Sequence, residues 1–330
     1  MKIIVTGYDH LDSLARNLKV SLRALGHTAE YAHDWSWLHY EKPIRRFIAG
    51  MVLRHPRFEL YRSQRIARQV ILNQPDLFIS VWSWLKPEAV QQIRDAGIKA
   101  VLVYPDHIAN LERQYALLAP YHQLFFKDPF AVRMFREKAG LAIEYLPEAC
   151  NPMWHKPVEL TEAERKRYGC DVTTASSMYP YRMRILECLE GYDLKLWGPA
   201  WSSWLNSPLR RNHTGVDVRE HEKAKAFSAA RIVVNTMHYA EIEGVNVRTF
   251  EAAGCGAFQI ADAKPALADL FVPDQEIVTF ASRAELKDKV DYYLGHEPER
   301  QRIAQAGQLR AHRDHTYAQR IQRIFEAVGL

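Results

Sequence analysis

Short apolar runs and helical periodicities alternate along this chain. Lys2–Gly7 (KIIVTG) is an apolar run stopped by glycine, and a helical pattern from about Leu11 to Leu25 ends at Gly26, a residue suited to helix C-termini. Thr28–Asp34 (TAEYAHD) reads as the next strand, and a basic helical stretch comes after it. Asp76–Trp82 (DLFISVW), Lys99–Asp106 (KAVLVYPD), His122–Asp128 (HQLFFKD) and Leu141–Pro147 (LAIEYLP) are further strands. Helices over Lys86–Asp95 and Pro129–Lys138 lie between them, stopped by Gly97 and Gly140. Strands that are apolar throughout, spaced by helices, predict a parallel sheet covered on both faces.

Ala149–Gly169 breaks the rhythm with two prolines, Pro152 and Pro157, and a run of charges, so residues 151–168 are expected to link two domains. The alternation then resumes. Strands are expected at CDVTTAS, DLKLWG, RIVVNT, GAFQIAD and EIVTF, and helices over Arg182–Glu190, near Glu220–Ala230, around Glu251 and over Arg283–Leu294. The tail Glu297–Val328 is strongly helical. The reading is therefore α/β with two Rossmann-like, doubly wound domains: 1–150, and 169–310 after the linker, with a terminal helix in 311–330 that crosses back to the first domain. In such sheets ligands sit at the carboxyl ends of the strands near the switch in strand order, so the site is expected in a cleft between the two domains.

Composition leaves this picture in place: 330 residues are long for one core, and 48% apolar with 25% charged residues is ordinary for a globular protein. No apolar run reaches the length of a membrane span, and the N-terminus enters a strand without a signal-peptide layout, so a cytoplasmic location is expected. Cys150, Cys170, Cys188 and Cys255 lack metal-ligand spacing and read as free thiols, which argues against zinc. Net charge is +5, yet residues 42–68 concentrate Lys42, Arg45, Arg46, Arg54, Arg57, Arg62, Arg65 and Arg68 among apolar residues. Such a segment can rest peripherally on an anionic membrane or hold an anionic acceptor, or it can be a solvated helix face packed on its own domain. No nucleic-acid-binding module accompanies it, and no nucleic-acid partner is expected.

The densest chemistry lies in EIEGVNVRTFEAAGCGAFQIAD, where Glu243 and Glu251 are separated by seven residues. A polar turn leads into a helix expected over Val247–Gly254, with Asn246 as a plausible N-cap, followed by a Gly-Cys-Gly break and a strand. A helix N-terminus suits a phosphate, and a carboxylate within the helix can accept from two neighbouring hydroxyls. By the plainer alternative, Glu243 is a loop charge and Glu251 favours the helix dipole.

This stretch resembles the E-x7-E motif of retaining nucleotide-sugar glycosyltransferases of GT-B architecture. YPYRMRILECL, YDLKLWGPAW, AARIVVNTMHY and the run from Arg283 to Arg320 resemble the C-terminal domain of CgeB-like glycosyltransferases, together covering Gly169–Ile321. The resemblance implies a sugar transferred from a nucleotide-sugar donor, a UDP-sugar ahead of a GDP- or dTDP-sugar, to an unknown acceptor, without cofactor or metal. It assigns Glu251 to the ribose, Glu243 to the transferred sugar, and Gly244, Val245, Asn246 and Val247 to the diphosphate through backbone N–H groups. Arg248 falls in the same donor-binding run. Arg182 would stabilise the leaving nucleotide, a guanidinium matching phosphate oxygens; otherwise it is a solvent-facing residue at a helix start. The family's second cation, a lysine, has only Arg184 or Lys195 to correspond to it.

Trp197 and Gly198, with Pro199 and Trp201, follow a strand and would cover the base or simply pack. Asn235 and His238 stand at another strand end, His238 toward donor or acceptor or as a structural histidine. In the first domain, which would bind the acceptor, His10 and Asp12 lie in the loop after the first strand and Trp82 after the DLFIS strand, where a ring can stack on a sugar. Asp106 and His107 follow another strand, as a general base if the enzyme inverts or as a capping pair. The competing readings are a nucleotide-sugar epimerase on the same fold and a non-catalytic nucleotide-sugar or polyanion binder.

Overall fold

The computed structural model describes residues 1–7, 9–32, 55–81, 85–111 and 114–330. They form two compact units, Met1–Pro147 with Tyr317–Leu330, and Glu148–Thr316.

The first unit holds a six-stranded parallel sheet: β1 (Lys2–Thr6), β2 (Thr28–Tyr31), β3 (Leu77–Val81), β4 (Lys99–Tyr104), β5 (Gln123–Phe126) and β6 (Ile143–Tyr145), in the order β2-β1-β3-β4-β5-β6. Every residue of β3 is buried, as expected for a central parallel strand covered on both faces. The first helix runs Leu14–Ala24, starting later than its periodicity suggests, because the Ser13 hydroxyl accepts from the Arg16 N–H and fixes the start there. Of the basic segment, residues 42–54 lie outside the described residues. The remainder enters the helix Pro56–Asn73, whose face of Ser63, Ile66, Ala67 and Val70 is buried, the last three in this unit's core. Arg65 and Arg68 are exposed and Arg62 is buried.

The helical tail is divided at His315–Thr316. Glu297–Asp314 stays with the second unit, while Tyr317–Val328 belongs to the first. There Arg320 Nε donates to the Pro147 carbonyl at 2.8 Å and Arg323 pairs with Glu144. Lys99 donates to the Val328 and Gly329 carbonyls, closing the helix's C-terminal end.

The second unit carries five parallel strands: β7 (Cys170–Ala175), β8 (Leu194–Trp197), β9 (Ala230–Asn235), β10 (Gln259–Asp262) and β11 (Val278–Phe280), ordered β11-β10-β9-β7-β8. The chain goes from β7 to one side and then returns to the other, so the switch in strand order falls between β7 and β9. Residues 151–168, expected as a linker, are packed into this unit instead. Asn151, Trp154 and His155 are buried, and Glu162–Tyr168 is a helix. Charge and prolines there reflect helix capping rather than an open connection: Thr161 and Glu164 form a reciprocal capping box.

The Thr161 hydrogen bonds, then Lys225, hold the Glu164 carboxyl down to about 2. A carboxyl depressed on folding contributes stability above its unfolded pKa and loses it as pH falls toward the folded value. Glu164→Ala should therefore lower the melting temperature at pH 7 by roughly 1–2 °C, the scale of one exposed cap. The gap to the parent should narrow as pH drops below about 4.5, near the ordinary carboxyl value. A gap constant from pH 7 to pH 3 in thermal melts would refute the capping role.

Among the described residues no helix is long and apolar enough to cross a membrane.

Candidate functional site

Two arginines meet at the ends of β7 and β9, where the strand order reverses. The helix Pro180–Leu186 follows β7, opened by Pro180, and carries Arg182 inward. Arg182 is only 4% exposed. Its Nε donates to Thr236 Oγ1 at 2.7 Å, one terminal nitrogen to the Thr236 carbonyl at 3.2 Å and the other to the Ser177 carbonyl. The guanidinium lies 4.4 Å from the Tyr179 ring centre, and the Tyr179 hydroxyl donates to the Met237 carbonyl at 3.2 Å. Arg182 is thus neither the solvent-facing residue of one expectation nor an open phosphate ligand: Ser177 and Thr236 enclose it. Burial, then the neighbouring Arg248 charge, lowers its pKa.

Arg248 opens the helix Arg248–Gly254. Its Nε donates to the Ala175 carbonyl at the end of β7, 2.7 Å, and its Nη1 to Asn235 Oδ1 at the end of β9, 3.0 Å. Burial lowers this pKa too, while the charges of Glu251, Tyr179 and Glu148 raise it. Neither guanidinium forms a salt bridge with a carboxylate among the described residues. The cations that sequence suggested beside Arg182 are engaged elsewhere: exposed Arg184 pairs with Glu187 at 3.0 Å, and Lys195 donates to the Arg167 carbonyl at 2.7 Å.

Fully buried Asn235 organises this corner. Its amide nitrogen donates to Thr249 Oγ1 at 3.0 Å, and its oxygen accepts from Asn246 Nδ2 at 3.0 Å as well as from Arg248. Asn246 is not the helix N-cap. The cap position is Val247, without a side-chain cap, because the Asn246 amide is drawn to Asn235 and the Thr236 carbonyl. The Asn246 backbone N–H is directed at Met237 Sδ, 3.4 Å, rather than offered to an anion. Gly244 and Val245 are buried, and Val247 is half-buried. Glu243 is half-buried, and its carbonyl accepts from the Ala266 N–H at 3.1 Å.

Glu251 is 2% exposed, and both of its oxygens lie 2.9 Å from Lys223 Nζ. Lys223 comes from the helix Glu220–Ala229. His155 Nε2 stands 3.6 Å from Glu251 Oε1, and His155 Nδ1 accepts from the Asn151 N–H, which places the ring proton on Nε2. Sequence reading missed both partners. Lys223 sits in a charged run, EHEKAKAF, that carries no signal of burial.

Trp197 takes the packing alternative. It is 2% exposed, its ring 5.3 Å from Tyr168 within a cluster that includes Val218 and Phe227, because the last residue of β8 turns inward. Gly198 lies against the end of β7, and its N–H donates to the Val216 carbonyl at 2.9 Å. His238 is half-buried, its ring centre 5.0 Å from Tyr179 and 4.2 Å from exposed Tyr239.

In the first unit, His10 Nδ1 contacts the Leu11 carbonyl at 2.8 Å, and Asp12 adopts φ 65° just before the capping Ser13. Asp106 accepts from the His107 N–H and from Asn110 Nδ2, both at 2.8 Å, as a local cap does; buried His107 has Nε2 3.6 Å from Asp106 Oδ1. Trp82 lies outside the described residues.

Residues 182–326 match the model of a family described as glycosyl transferase-like. Over 188 residues the chain is 24% identical to the spore protein CgeB of Bacillus subtilis strain 168, an alignment that spans 50% of this chain and 58% of that protein. Among solved structures, sucrose-phosphate synthase of Thermosynechococcus elongatus superposes with a TM-score of 0.69 at 13% identity, over 99% of both chains. Anabaena HepE, in complex with UDP-glucose, gives 0.67 at 12% identity, over 100% of this chain and 99% of that one. The chain is thus similar to the glycosyl transferase-like family over residues 182–326 and to CgeB over half its length, and its two parallel-sheet α/β units have the GT-B architecture.

Proposed function

We propose that this protein is a glycosyltransferase that takes a sugar from a nucleoside-diphosphate donor, binding the diphosphate at Arg248 with Arg182 buried beneath it. The carrying observation is the cation pair at the β7/β9 switch. Arg182 is 4% exposed beside a second guanidinium, with no salt-bridged carboxylate among the described residues. Burying like charges is unfavourable unless an anion compensates them. A diphosphate supplies at least two negative charges and oxygens that match a guanidinium.

As the glycosidic bond breaks, charge grows on the departing diphosphate, and cations already fixed in place stabilise it without rearrangement. Arg248 is the more exposed of the two and makes the direct contact. Arg182, enclosed by Ser177 and Thr236, supplies field from beneath. Glu251 is assigned to the ribose and Glu243 to the transferred sugar, and retention follows from the E-x7-E pattern, since the leaving phosphate can take the acceptor's proton. UDP is the first nucleoside diphosphate to try, in keeping with HepE, and a cytoplasmic site of action belongs to the same reading.

A thermal-shift screen with UDP, GDP, dTDP, CMP and ADP and their sugar conjugates tests this. One nucleoside diphosphate should stabilise the protein, by about 2.7 kcal/mol at a hundred times its Kd, and less after Glu251→Ala. If no nucleoside diphosphate moves the transition, the reading fails.

A further inference from the structure

A row of aromatic rings leads from buried Arg182 out to the surface of the second unit. The guanidinium lies against Tyr179, the His238 ring centre is 5.0 Å from that of Tyr179, Tyr239 is 4.2 Å from His238, and Tyr181 meets Tyr239 edge to face at 6.0 Å. The row ends open: Tyr239 is 67% exposed and Tyr181 43%. A single exposed ring needs no explanation, but two that touch across the loops after β7 and β9 make a continuous shelf. Asp262, the last residue of β10, stands near it, close enough that its charge raises the Tyr181 pKa. Asp262 is half-buried, and burial raises its own pKa, opposed by the Lys264 charge and a hydrogen bond from the Met237 N–H. An ionised carboxylate has about four acceptor positions, of which that N–H takes one. The Lys264 ammonium itself donates to the Glu241 carbonyl.

We propose that Tyr181, Tyr239 and Asp262 form a saccharide subsite that seats a pyranose ring of the acceptor, which makes the acceptor a glycan. This rests on the glycosyltransferase reading above. A pyranose has a face of C–H groups and a rim of hydroxyls. The tyrosine rings suit the face, and the carboxylate accepts from the rim in charge-assisted hydrogen bonds. The Met237 peptide fixes the two parts relative to each other, because its carbonyl accepts from the Tyr179 hydroxyl while its N–H donates to Asp262. The exposure of the shelf selects the acceptor over the donor's sugar. A sugar leaving a phosphate has to be screened from water, which would otherwise take it. A glycan acceptor has to run back out to solvent, and open rings let its chain continue.

The test measures saccharide binding by saturation-transfer NMR on the parent chain, Tyr239→Ala, Tyr239→Trp, Tyr181→Ala and Asp262→Asn. Maltose, cellobiose, lactose, gentiobiose and N,N′-diacetylchitobiose are the probes, and melting shifts with UDP, GDP, dTDP and ADP and their sugar conjugates are recorded alongside. A disaccharide should bind the parent. Tyr239→Ala and Tyr181→Ala should each weaken it roughly three- to tenfold, the scale of one stacked ring, and Tyr239→Trp should retain it. Asp262→Asn should weaken it roughly tenfold, the scale of a hydrogen bond to a charged acceptor. Tyr239→Ala, at an exposed position, should melt with the parent, so its loss of binding is not unfolding. Both alanine variants should keep the parent's shifts with nucleotides and conjugates. A parent stabilised by a nucleoside diphosphate that binds none of the disaccharides, or binds them no better than Tyr239→Ala does, overturns the inference and leaves the donor reading intact. Nucleotide or conjugate binding that falls with either tyrosine sets the rings against the donor and overturns it too. A parent that binds a disaccharide on these rings but no nucleoside diphosphate overturns the donor reading first, and with it the acceptor role of the shelf.

Discussion

Arg248→Leu is expected to weaken nucleoside-diphosphate binding on the order of a hundredfold, about 2.8 kcal/mol, while leaving the unliganded protein folded. The side chain gives up two hydrogen bonds, to the Ala175 carbonyl and Asn235 Oδ1. Asn235 keeps Asn246 as a donor, so only one acceptor is left short. Against that loss stands the relief of Arg182, whose pKa is lowered by burial and then by the Arg248 charge. Nearly balanced changes in stability with a large loss of binding are the mark of a residue kept for a ligand. Inorganic pyrophosphate is the simplest probe. It should raise the melting temperature of the parent and leave Arg248→Leu unmoved. If pyrophosphate and the best nucleoside diphosphate bind Arg248→Leu as well as the parent, Arg248 is not the contacting cation.

Arg182 would answer differently. Its removal takes the donor from the Thr236 hydroxyl and the Ser177 carbonyl in a buried place, while the Thr236 carbonyl keeps the Asn246 amide, so stability and binding fall together. The two arginines look alike in sequence, but their surroundings bury one and leave the other half-buried.

How much of this was readable beforehand follows from what each signal depends on. The strands were legible because parallel strands buried on both faces, such as Leu77–Val81, must be apolar throughout. The alternation put Arg182 and Asn235 after strands, and the family resemblance put Arg248 in the donor-binding run, but the strand order that makes β7 and β9 neighbours came only with the sheet. The partnerships were not legible, since Arg248 joins Arg182 and Lys223 joins Glu251 only through sheet order and helix packing. Asn246 shows how a local rule fails: an asparagine ahead of a helix reads as a cap, yet its amide finds Asn235 across the corner. Which of the two readings of Trp197 holds was hidden for a similar reason. A strand's last residue can turn to either side, and the Tyr168 ring that receives it lies in the segment expected to be a linker. That segment misled because Pro152, Pro157 and its charges describe capping and turns as readily as an exposed connection.

Gly198→Ala should be the most damaging single-carbon change near the site. A β-carbon at this position would lie 2.1 Å from the Ser176 carbonyl oxygen and 3.0 Å from its carbon, both backbone atoms that no rotamer can move. The two strand ends are tied by the Ser176 N–H to the Trp197 carbonyl at 2.8 Å, so relieving the clash means breaking the β7–β8 junction. Overpacking against backbone in a tight interior costs about 3 kcal/mol, which lowers the melting temperature by roughly 6–12 °C for a domain of this size. The damage should also reach function. Ser177, next in the chain, supplies the carbonyl that holds Arg182, so a displaced Ser176 loosens the buried cation beneath Arg248. Nucleotide affinity should therefore fall in Gly198→Ala even at temperatures where it remains folded. Gly295→Ala is the matched control: nothing lies within 4 Å of its added carbon, at the end of the helix Arg283–Gly295, and its effect should stay within about 0.5 kcal/mol. Equal melting temperatures for the two variants would mean that the close approach of β7 and β8 at Gly198 is not what holds this corner of the site.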